Sequence, residues 1–278
     1  MAAAGTDRGR EAFKRAVKGG QPTFGLFLDS ASPLVAEQVA AFGYDYVLVD
    51  AQHSPVDHTQ LAAMLTAISA AGCPSLVRVG GPHDRAGIQQ ALDLGAYGIM
   101  VPTVKTRGDV EAAVDACYFP PLGSRSIAWP VRPQLGRDVE SFINSANDEV
   151  LLLIQVETKE SYNNLEQILS VPGVDVAFMG PIDLSRALGL PQKHGFPQCF
   201  DSDDFKECLR RVAEACQDHG VVAGNFALSE AKAQAMLAAG YPFLATGTDV
   251  GLLEVAARQN LAFIHKLKAG ARPSGEGS

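Results

Sequence analysis

The residues of this chain most able to do chemistry are two carboxylates that follow apolar, strand-like runs. Glu157 comes after LLLIQV at 151–156, and Asp183 comes after VAFMGPI at 176–182. Carboxylates at the ends of neighbouring parallel strands lie at one edge of a sheet and can hold a hard divalent cation there. Each could instead cap the helix that follows, because TKE and LSR resemble first helical turns. Two such positions in consecutive units favour a metal site.

Further polar residues stand at the ends of other strand-like runs, and they are Asp50, Gln52, His53, Arg78 and Gln155. His53 is a candidate for proton transfer, with a hydrogen-bonded structural histidine as the alternative. Arg78 lies within an apolar run, which suits a buried clamp for a carboxylate or an enolate better than a surface cation. Asp50 could orient the adjoining loop by hydrogen bonding, or it could face a metal through water.

Apolar β-rich runs alternate along the chain with amphipathic stretches, which is typical of a parallel sheet with crossover helices. The absence of a G-x-G-x-x-G turn after the first run weakens a dinucleotide-binding interpretation. Eight strand and helix units in about 250 residues predict an α/β fold of the (β/α)8 TIM-barrel type. A first helix is predicted at 33–42. The predicted strands are 24–28, 46–50, 75–79, 98–102, 150–156, 176–180, 221–225 and 243–246.

Two stretches are too long for the short connections of such a barrel. Residues 118–148 include the single tryptophan, Trp129, and a loop of this length is expected to cover a site or to join subunits. Residues 190–204 are interpreted as a solvated excursion. We predict a single domain over residues 1–268 and a disordered tail, rich in Gly, Pro and Ser, over 269–278.

Composition and charge restrict the partners that the chain can have. The 278 residues are 47% apolar and 19% charged, which describes a globular protein with a sizeable core. A net charge of −8 without a dense Lys/Arg run argues against nucleic acid and favours small molecules. Five cysteines without C-x-x-C spacing predict reduced thiols.

The sequence also bears on membranes and location. No apolar stretch approaches the roughly 20 residues needed to span a bilayer, so we expect no membrane partner. The first 20 residues mix acidic and basic side chains, unlike a secretory signal. We therefore predict a cytoplasmic location, with organellar targeting as the alternative.

The motifs, in their order and spacing, resemble the HpcH/HpaI aldolase family, which consists of metal-dependent class II pyruvate aldolases. The resemblance runs from Phe13 to Lys266. It implies a (β/α)8 barrel of the phosphoenolpyruvate/pyruvate type, commonly assembled as a hexamer. The motifs are GLFL at 25–28, VDAQHSP at 49–55, LVRV at 76–79, VPTV at 101–104, YFPPLGSR at 118–125, AND at 146–148, IQVET at 154–158 and GPIDLS at 180–185.

This resemblance implies ligands for a metal and a substrate. Glu157 and Asp183 would bind a divalent ion, with Mg²⁺ or Mn²⁺ expected first and Co²⁺ as a further candidate, because oxygen ligands do not distinguish these ions. Gln155, Ile182 and Asp183 would contact the keto acid. Both a 2-keto acid and an aldehyde are therefore expected as small-molecule partners.

The resemblance also implies catalytic roles. His53 would be the base, acting directly or through water, and Arg78 would be the cation that stabilises the enolate. Asp93, in LDLG at 92–95, would raise the basicity of His53. From the sequence alone, Asp93 would be interpreted as an acidic residue at the end of a helix.

Three positions depart from the usual family pattern. Gln52 replaces a common Glu, which removes a negative charge while keeping a hydrogen-bonding group. Ile182 is bulkier than the usual Ala and is expected to alter the floor of the substrate site. Phe27 stands where some members carry Trp, so the aldehyde pocket is expected to differ.

The implied reaction is the reversible cleavage of a 4-hydroxy-2-keto acid to pyruvate, or a related 2-keto acid, and an aldehyde through a metal-stabilised enolate. One alternative is a related lyase or decarboxylase acting on oxaloacetate or a CoA thioester. Another is a catalytically inactive barrel that binds a keto acid, although the retention of His53 and Arg78 argues against it. A homo-oligomer is expected, in which the apolar helix at 252–267 either contributes to contacts between subunits or covers its own barrel.

Overall fold

The computed structural model describes the backbone of residues 6–270 and the side chains of residues 9–268. Eight parallel strands pair in sequence order, and β8 pairs back onto β1 to close a barrel. This confirms the predicted (β/α)8 TIM-barrel fold. The strands are β1 (Thr23–Leu28), β2 (Tyr46–Asp50), β3 (Ser75–Arg78), β4 (Gly98–Val101), β5 (Leu151–Val156), β6 (Val176–Met179), β7 (Val222–Phe226) and β8 (Phe243–Thr248).

Helices connect successive strands and surround the barrel. Short side chains cap several of them, as in α3, where Asp57 accepts the backbone N–H of Gln60 at 2.8 Å. Short 3-10 helices form at Arg132–Gln134 and Gln198–Asp201. The α-helices of the described residues are α1 (Thr6–Lys18), α2 (Pro33–Ala41), α3 (His58–Ala70), α4 (Arg85–Asp93), α5 (Arg107–Cys117), α6 (Val139–Glu149), α7 (Lys159–Asn163), α8 (Leu165–Leu169), α9 (Pro181–Ala187), α10 (Leu190–His194), α11 (Asp203–His219), α12 (Glu230–Ala238) and α13 (Asp249–Gly270).

Side chains alternate along each strand between the barrel interior and the surrounding helices. In β2, Tyr46 and Leu48 belong to the interior cluster, whereas Val47 and Val49 pack in the outer cluster with the helices. The same alternation turns Asp50, the last residue of the strand, towards the interior axis. Polar residues at the carboxyl ends of the strands therefore face one another above an apolar barrel interior.

The predicted strands agree closely with the observed ones. All eight are present, and no strand boundary moves by more than two residues. The predicted first helix at 33–42 ends one residue earlier, at Ala41. Hydrophobic runs locate buried strands well because both faces of each strand are covered.

The long stretch at 118–148 lies in the connection between α5 and β5. Connections from a helix to the next strand return at the amino-terminal end of the barrel, opposite the strand ends that carry the polar residues. The stretch therefore does not cover that edge within its own chain, which leaves the joining of subunits as its predicted role. Trp129 is 62% exposed there.

The stretch at 190–204 is largely exposed to solvent, as predicted, but it also contains regular structure and two buried residues. It contains α10 and the 3-10 helix Gln198–Asp201. Leu190 and Cys199 are buried in the outer core. Both side chains pack against the barrel, and the segment folds onto it because this burial removes apolar surface from water.

The helix α13 extends further than predicted in both directions. Several of its apolar side chains are about half exposed or more, and they are Leu252, Leu253, Val255, Leu261, Phe263 and Leu267. The alternative that this helix covers its own barrel is therefore wrong for these side chains. The predicted tail at 269–278 lies, beyond its first two residues, outside the described residues. None of the described helices has the length and hydropathy to cross a bilayer.

The five cysteines are all free and buried, which agrees with the prediction of reduced thiols. Burial raises the pKa of the Cys73 thiol to about 11 and that of Cys117 to about 12. Protonated, buried thiols are poor nucleophiles, so these cysteines serve as small core residues.

Candidate active site

An ion pair joins the ends of the second and third strands. Arg78 ends β3 and lies beside Asp50, the last residue of β2, in the strand register. The Arg78 Nε donates to Asp50 Oδ1 at 2.8 Å, and Nη2 donates to Oδ2 at 2.5 Å. Asp50 also accepts the backbone N–H of Gln52 at 3.1 Å. Of the two roles considered for Asp50, the contacts favour orientation of the strand-end loop and of Arg78.

The edge of the Arg78 guanidinium that does not contact Asp50 is directed towards the end of β5. Its Nη1 approaches Gln155 Oε1 at 3.4 Å, which is a long hydrogen bond. The guanidinium carbon lies 5.1 Å from the centre of the Phe27 ring, within the range of a cation–π contact. Arg78 is therefore fixed by a carboxylate on one side and an aromatic ring below it.

Glu157 is a buried carboxylate immediately after β5, with 7% of its surface exposed. Its Oε1 accepts the backbone N–H of Thr103 at 2.6 Å. Thr103 has a φ of +55°, a left-handed conformation that is strained for a β-branched residue. Burial raises the pKa of the Glu157 carboxyl, the Thr103 hydrogen bond opposes that rise, and the negative charge of Asp183 adds to it.

The charges that act on Glu157 show which predicted residues come together. Asp183 raises its pKa, whereas Arg78 and His53 lower it. Asp183 lies in the first turn of α9, and His53 is exposed in the loop after β2. Gln155 is buried two residues before Glu157 on the same face of β5. Five of the residues identified from the sequence therefore converge at one edge of the barrel.

The helix-capping interpretation does not hold for Glu157. The N-cap of α7 is Thr158, whose hydroxyl accepts the backbone N–H of Ser161 at 2.9 Å. Gly180 is the N-cap of α9, so Asp183 lies within the first turn of that helix and does not cap it. Neither carboxylate is therefore the cap of the helix that follows it, and Glu157 is available to a ligand at the strand ends.

Gly180 permits the close approach of α9 to β5. A Cβ atom at this position would lie 2.7 Å from Glu157 Cβ and 2.8 Å from Glu157 Oε2, distances that real Cβ atoms do not adopt. Only glycine fits without displacing the carboxylate. The glycine therefore brings Asp183, three residues later, towards Glu157.

Asp93 pairs with an arginine in the structure. It ends α4, and its Oδ1 accepts Arg125 Nη2 at 2.6 Å. Because α4 runs back from the strand ends for about 13 Å, Asp93 lies towards the amino-terminal end of the barrel, away from His53. Within one chain the observed partner of Asp93 is Arg125, and the role of Asp93 in raising the basicity of His53 stays a prediction.

Two departures from the family pattern border the site. The Oε1 of Gln52 is buried and has no hydrogen-bond partner among the described residues. Ile182 is 51% exposed in the first turn of α9, and its carbonyl accepts the Ser185 hydroxyl at 2.8 Å. Both residues can therefore contact a ligand at the strand ends.

Sequence reasoning missed four residues that shape this edge, namely Asp29, Thr103, Gly180 and Asp249. Asp29 could have been found, because it stands two residues after Phe27 and so continues the inward face of β1. The sequence contains no pattern that identifies the strained Thr103 or the close approach at Gly180.

The donor set fits a divalent cation. Glu157 and Asp183 repel each other, and a cation between them would relieve that repulsion. The described residues form no group of three or more His, Cys, Asp and Glu side chains that could enclose an ion. Mg²⁺ is commonly bound by one or two carboxylates, together with water and substrate oxygens, so two protein carboxylates are compatible with such an ion.

A parallel barrel that gathers acidic, basic and amide groups at the carboxyl ends of its strands defines an α/β-barrel enzyme. The family model described as HpcH/HpaI aldolase/citrate lyase matches residues 23–256, and the chain belongs to this family. It is accordingly a carbon–carbon lyase of the aldolase type. The predicted family and enzyme class are both confirmed.

Named relatives and a solved structure resemble nearly the whole chain. A 2-keto-3-deoxy-L-rhamnonate aldolase from Klebsiella pneumoniae is 38% identical over 252 residues, covering 90% of this chain and 91% of that protein. A hydroxypyruvate/pyruvate aldolase from Deinococcus radiodurans is 38% identical over 269 residues, covering 95% and 94%. The crystal structure of an HpcH/HpaI aldolase/citrate lyase family protein from Burkholderia cenocepacia has a TM-score of 0.82 at 33% identity, covering 92% of this chain and 99% of that one.

Proposed function

We propose that the protein reversibly cleaves a 4-hydroxy-2-keto acid to pyruvate, or a related 2-keto acid, and an aldehyde. The observation that carries this proposal is the convergence of Glu157, Asp183, Arg78 and His53 at the strand ends. The names of the two relatives, a 2-keto-3-deoxy-L-rhamnonate aldolase and a hydroxypyruvate/pyruvate aldolase, support the same substrate class.

Glu157 and Asp183 would hold the divalent ion, with Mg²⁺ or Mn²⁺ as the first candidates and Co²⁺ as a third. When bound, such an ion supplies Lewis-acid polarisation of the 2-keto carbonyl. The Thr103 N–H keeps Glu157 in one orientation through its 2.6 Å hydrogen bond. A ligand carboxylate that is held in place in this way loses little conformational entropy on binding the ion.

Arg78 would stabilise the negative charge that develops on the enolate oxygen. Its two-point contact with Asp50 and its position over Phe27 fix the guanidinium before the substrate arrives. A preorganised charge stabilises a transition state without the free-energy cost of reorganisation. Asp50 is therefore a positioning residue that acts through Arg78.

His53 would remove the proton from the C4 hydroxyl during cleavage and return it during condensation. Its exposure in the loop after β2 lets the imidazole exchange that proton with water. A protonated His53 would lower the pKa of Glu157, which supports a position of this side chain near the carboxylate pair.

Gln155 and Ile182 would orient the keto acid. Arg78 Nη1 donates to Gln155 Oε1, which leaves the Gln155 Nε2 group to donate to the substrate. Ile182 occupies the second position of α9, where a backbone N–H has no partner within the helix. The keto-acid carboxylate could accept that N–H.

The protein is also proposed to be a homo-oligomer, with a hexamer expected from the family resemblance. The support is the apolar surface of α13, where Leu253 is 68% exposed and Phe263 is 57% exposed. Large apolar side chains exposed in one chain are typical of an interface between subunits. The exposed Trp129 at the amino-terminal end of the barrel is a second candidate contact.

The experiment that tests the proposed reaction is pyruvate release from a panel of 4-hydroxy-2-keto acids, with EDTA and with added Mg²⁺, Mn²⁺ or Co²⁺. We expect EDTA to abolish release and an added ion to restore it. Release of pyruvate from oxaloacetate alone would instead support the decarboxylase alternative. Keto-acid binding without turnover of any substrate would support an inactive barrel.

A further inference from the structure

We propose that Asp29 determines the aldehyde specificity of the enzyme by accepting a hydrogen bond from a hydroxyl group on the aldehyde-derived part of the substrate. This inference rests on the proposed aldolase function and specifies which aldehydes the site takes. The class of substrate is a neutral 2-hydroxyaldehyde, in preference to an aldehyde without the hydroxyl.

The position of Asp29 follows from the alternation of β1. Phe27 points into the barrel, and Leu28 packs outside it. Asp29, the next residue, therefore turns back towards the interior axis, one layer above Phe27. In the register, Leu28 pairs with Val49, so Asp29 stands level with Asp50 on the neighbouring strand.

The electrostatic surroundings agree with this placement. Burial of the side chain and, to a smaller extent, the negative charges of Asp50 and Asp249 raise the pKa of Asp29, and the charge of Arg78 lowers it. Asp29 is therefore near the guanidinium to which the mechanism assigns enolate stabilisation. A substrate whose keto-acid end lies against Arg78 could therefore direct its aldehyde-derived end towards Asp29.

One oxygen of Asp29 is an unused acceptor. Its Oδ1 is buried and has no hydrogen-bond partner among the described residues. The nearby Thr248 side chain lowers the pKa of the Asp29 carboxyl, but it leaves Oδ1 without a partner. A buried acceptor without a partner is unfavourable, and a ligand that donates to it removes that penalty.

The backbone that carries Asp29 is held in place by Asp249 at the start of α13. Asp249 Oδ1 accepts the Asp29 N–H at 2.8 Å, and its Oδ2 accepts the Ser30 hydroxyl at 2.5 Å. Ala31, two residues after Asp29, has a φ of +53°, which is unusual for a residue other than glycine. The loop is therefore fixed in a defined conformation, as a residue that selects a substrate requires.

The chemistry of the acceptor defines the ligand. A carboxylate oxygen accepts a hydrogen bond from a hydroxyl, whereas an aldehyde with only methyl or methylene groups leaves it unsatisfied. Asp50 and Asp249 add negative charge around Asp29. This charge disfavours aldehydes that carry their own carboxylate. A neutral 2-hydroxyaldehyde meets both conditions.

The test compares the condensation of pyruvate with glycolaldehyde and with acetaldehyde, which differ only by the hydroxyl. We expect the wild-type enzyme to show a higher kcat/KM for glycolaldehyde. Asp29→Ala should lower the ratio of the two kcat/KM values by about tenfold, the size expected for one hydrogen bond. The loss should lie mainly in the KM for glycolaldehyde.

Two further variants serve as controls. Asp29→Asn keeps an acceptor oxygen of the same shape, so it should retain more of the ratio than Asp29→Ala does. Asp203→Asn changes a carboxylate on α11 whose side chain is 98% exposed, and it should leave the ratio as in the wild type. Thermal unfolding confirms that each variant is folded.

The outcomes separate this inference from the proposed function. An unchanged ratio in Asp29→Ala and Asp29→Asn overturns the role of Asp29 while the aldolase activity stands. A wild-type enzyme that condenses acetaldehyde as efficiently as glycolaldehyde also overturns the role of Asp29 and leaves the aldolase activity in place. A wild-type enzyme that condenses neither aldehyde with pyruvate overturns both.

Discussion

Asp50 and Arg78 form a two-point ion pair across the ends of β2 and β3, with Nη2 of Arg78 2.5 Å from Oδ2 of Asp50. Asp50 is 2% exposed and the Arg78 side chain is 12% exposed, so neither charge has much access to water. The pair fixes the guanidinium and directs its remaining edge towards Gln155. The position of the proposed catalytic charge of Arg78 and the stability of the fold therefore depend on the same contact.

Removing the guanidinium should impair both activity and stability. We expect Arg78→Ala to lower kcat by about 10²- to 10³-fold, the loss seen when one oxyanion donor is removed. The variant also leaves the buried Asp50 charge unpaired, which should lower the free energy of unfolding by about 3–5 kcal/mol. Steady-state kinetics and urea unfolding measure the two effects.

A double variant separates these effects. Adding Asp50→Asn to Arg78→Ala removes the stranded charge, so it should recover part of the stability without recovering turnover. Arg78→Lys should rescue turnover poorly, because a lysine lacks the planar fork that Asp50 holds. Near-normal kcat in Arg78→Ala would remove Arg78 from the mechanism.

Gly180→Ala tests the close approach between α9 and β5. The added methyl group would meet Glu157 Cβ at 2.7 Å and Oε2 at 2.8 Å, so it should displace the carboxylate. We expect weaker divalent-ion binding and lower turnover from a variant that still folds. Gly108→Ala, where the nearest atom lies 3.7 Å away, is the matched control and should behave as the wild type. Equal ion affinity in the two variants would rule out the proposed role of Gly180.

The sequence predicted the barrel well because apolar strands covered on both faces leave a strong pattern. Glu157, Asp183, Arg78 and His53 were predictable for a related reason, since each follows or ends such a run. The hydrogen bond from the Thr103 N–H to Glu157 was not predictable. Threonine rarely adopts a positive φ, so the residue type gives no sign of this backbone conformation. The contact of Asp93 with Arg125 depends on the direction of α4 and on a segment 32 residues away in sequence.

Asp29→Asn should stabilise the protein at neutral pH. Burial, Asp50 and Asp249 raise the pKa of Asp29 in the folded state above its value in the unfolded chain. Ionised Asp29 therefore lowers stability as the pH rises through the folded-state pKa. Below about pH 4, the ordinary pKa of an aspartate, the carboxyl is protonated in both states and this effect disappears.

The measurement is the melting temperature of wild type and Asp29→Asn across the pH range from 4 to 8. We expect the variant to melt higher at neutral pH and the difference to shrink towards pH 4. A difference that is independent of pH, or a lower melting temperature at neutral pH, would show that the Asp29 carboxylate is not under electrostatic strain.

Charges on α13 should disrupt the proposed assembly. Leu253→Glu together with Phe263→Glu introduces two carboxylates into apolar surface that is more than half exposed in one chain. We expect light scattering to show a homo-oligomer for the wild type and smaller species for the double variant. Gln259→Glu, on the same helix, adds a charge without removing an apolar side chain and is the control. A monomeric wild type at micromolar concentration would reject the assembly.

The carboxylate pair supports the central claim, and its replacement by amides tests that claim. If Glu157 and Asp183 hold the ion, Glu157→Gln and Asp183→Asn should each reduce divalent-ion affinity and pyruvate release together. Glu157→Gln removes a buried carboxyl with a raised pKa, so it should not destabilise the metal-free protein. Circular dichroism checks the fold, and Asp203→Asn is the exposed control.

The most direct measurement is a calorimetric titration of Mn²⁺ into the wild type and the two amide variants, combined with pyruvate release from a 4-hydroxy-2-keto acid at each ion concentration. We expect the wild type to bind Mn²⁺ and to become active in proportion to the occupancy of the ion site. Both variants should bind the ion weakly and release little pyruvate while remaining folded. Native affinity and native turnover in both variants would contradict the metal site and the mechanism built on it.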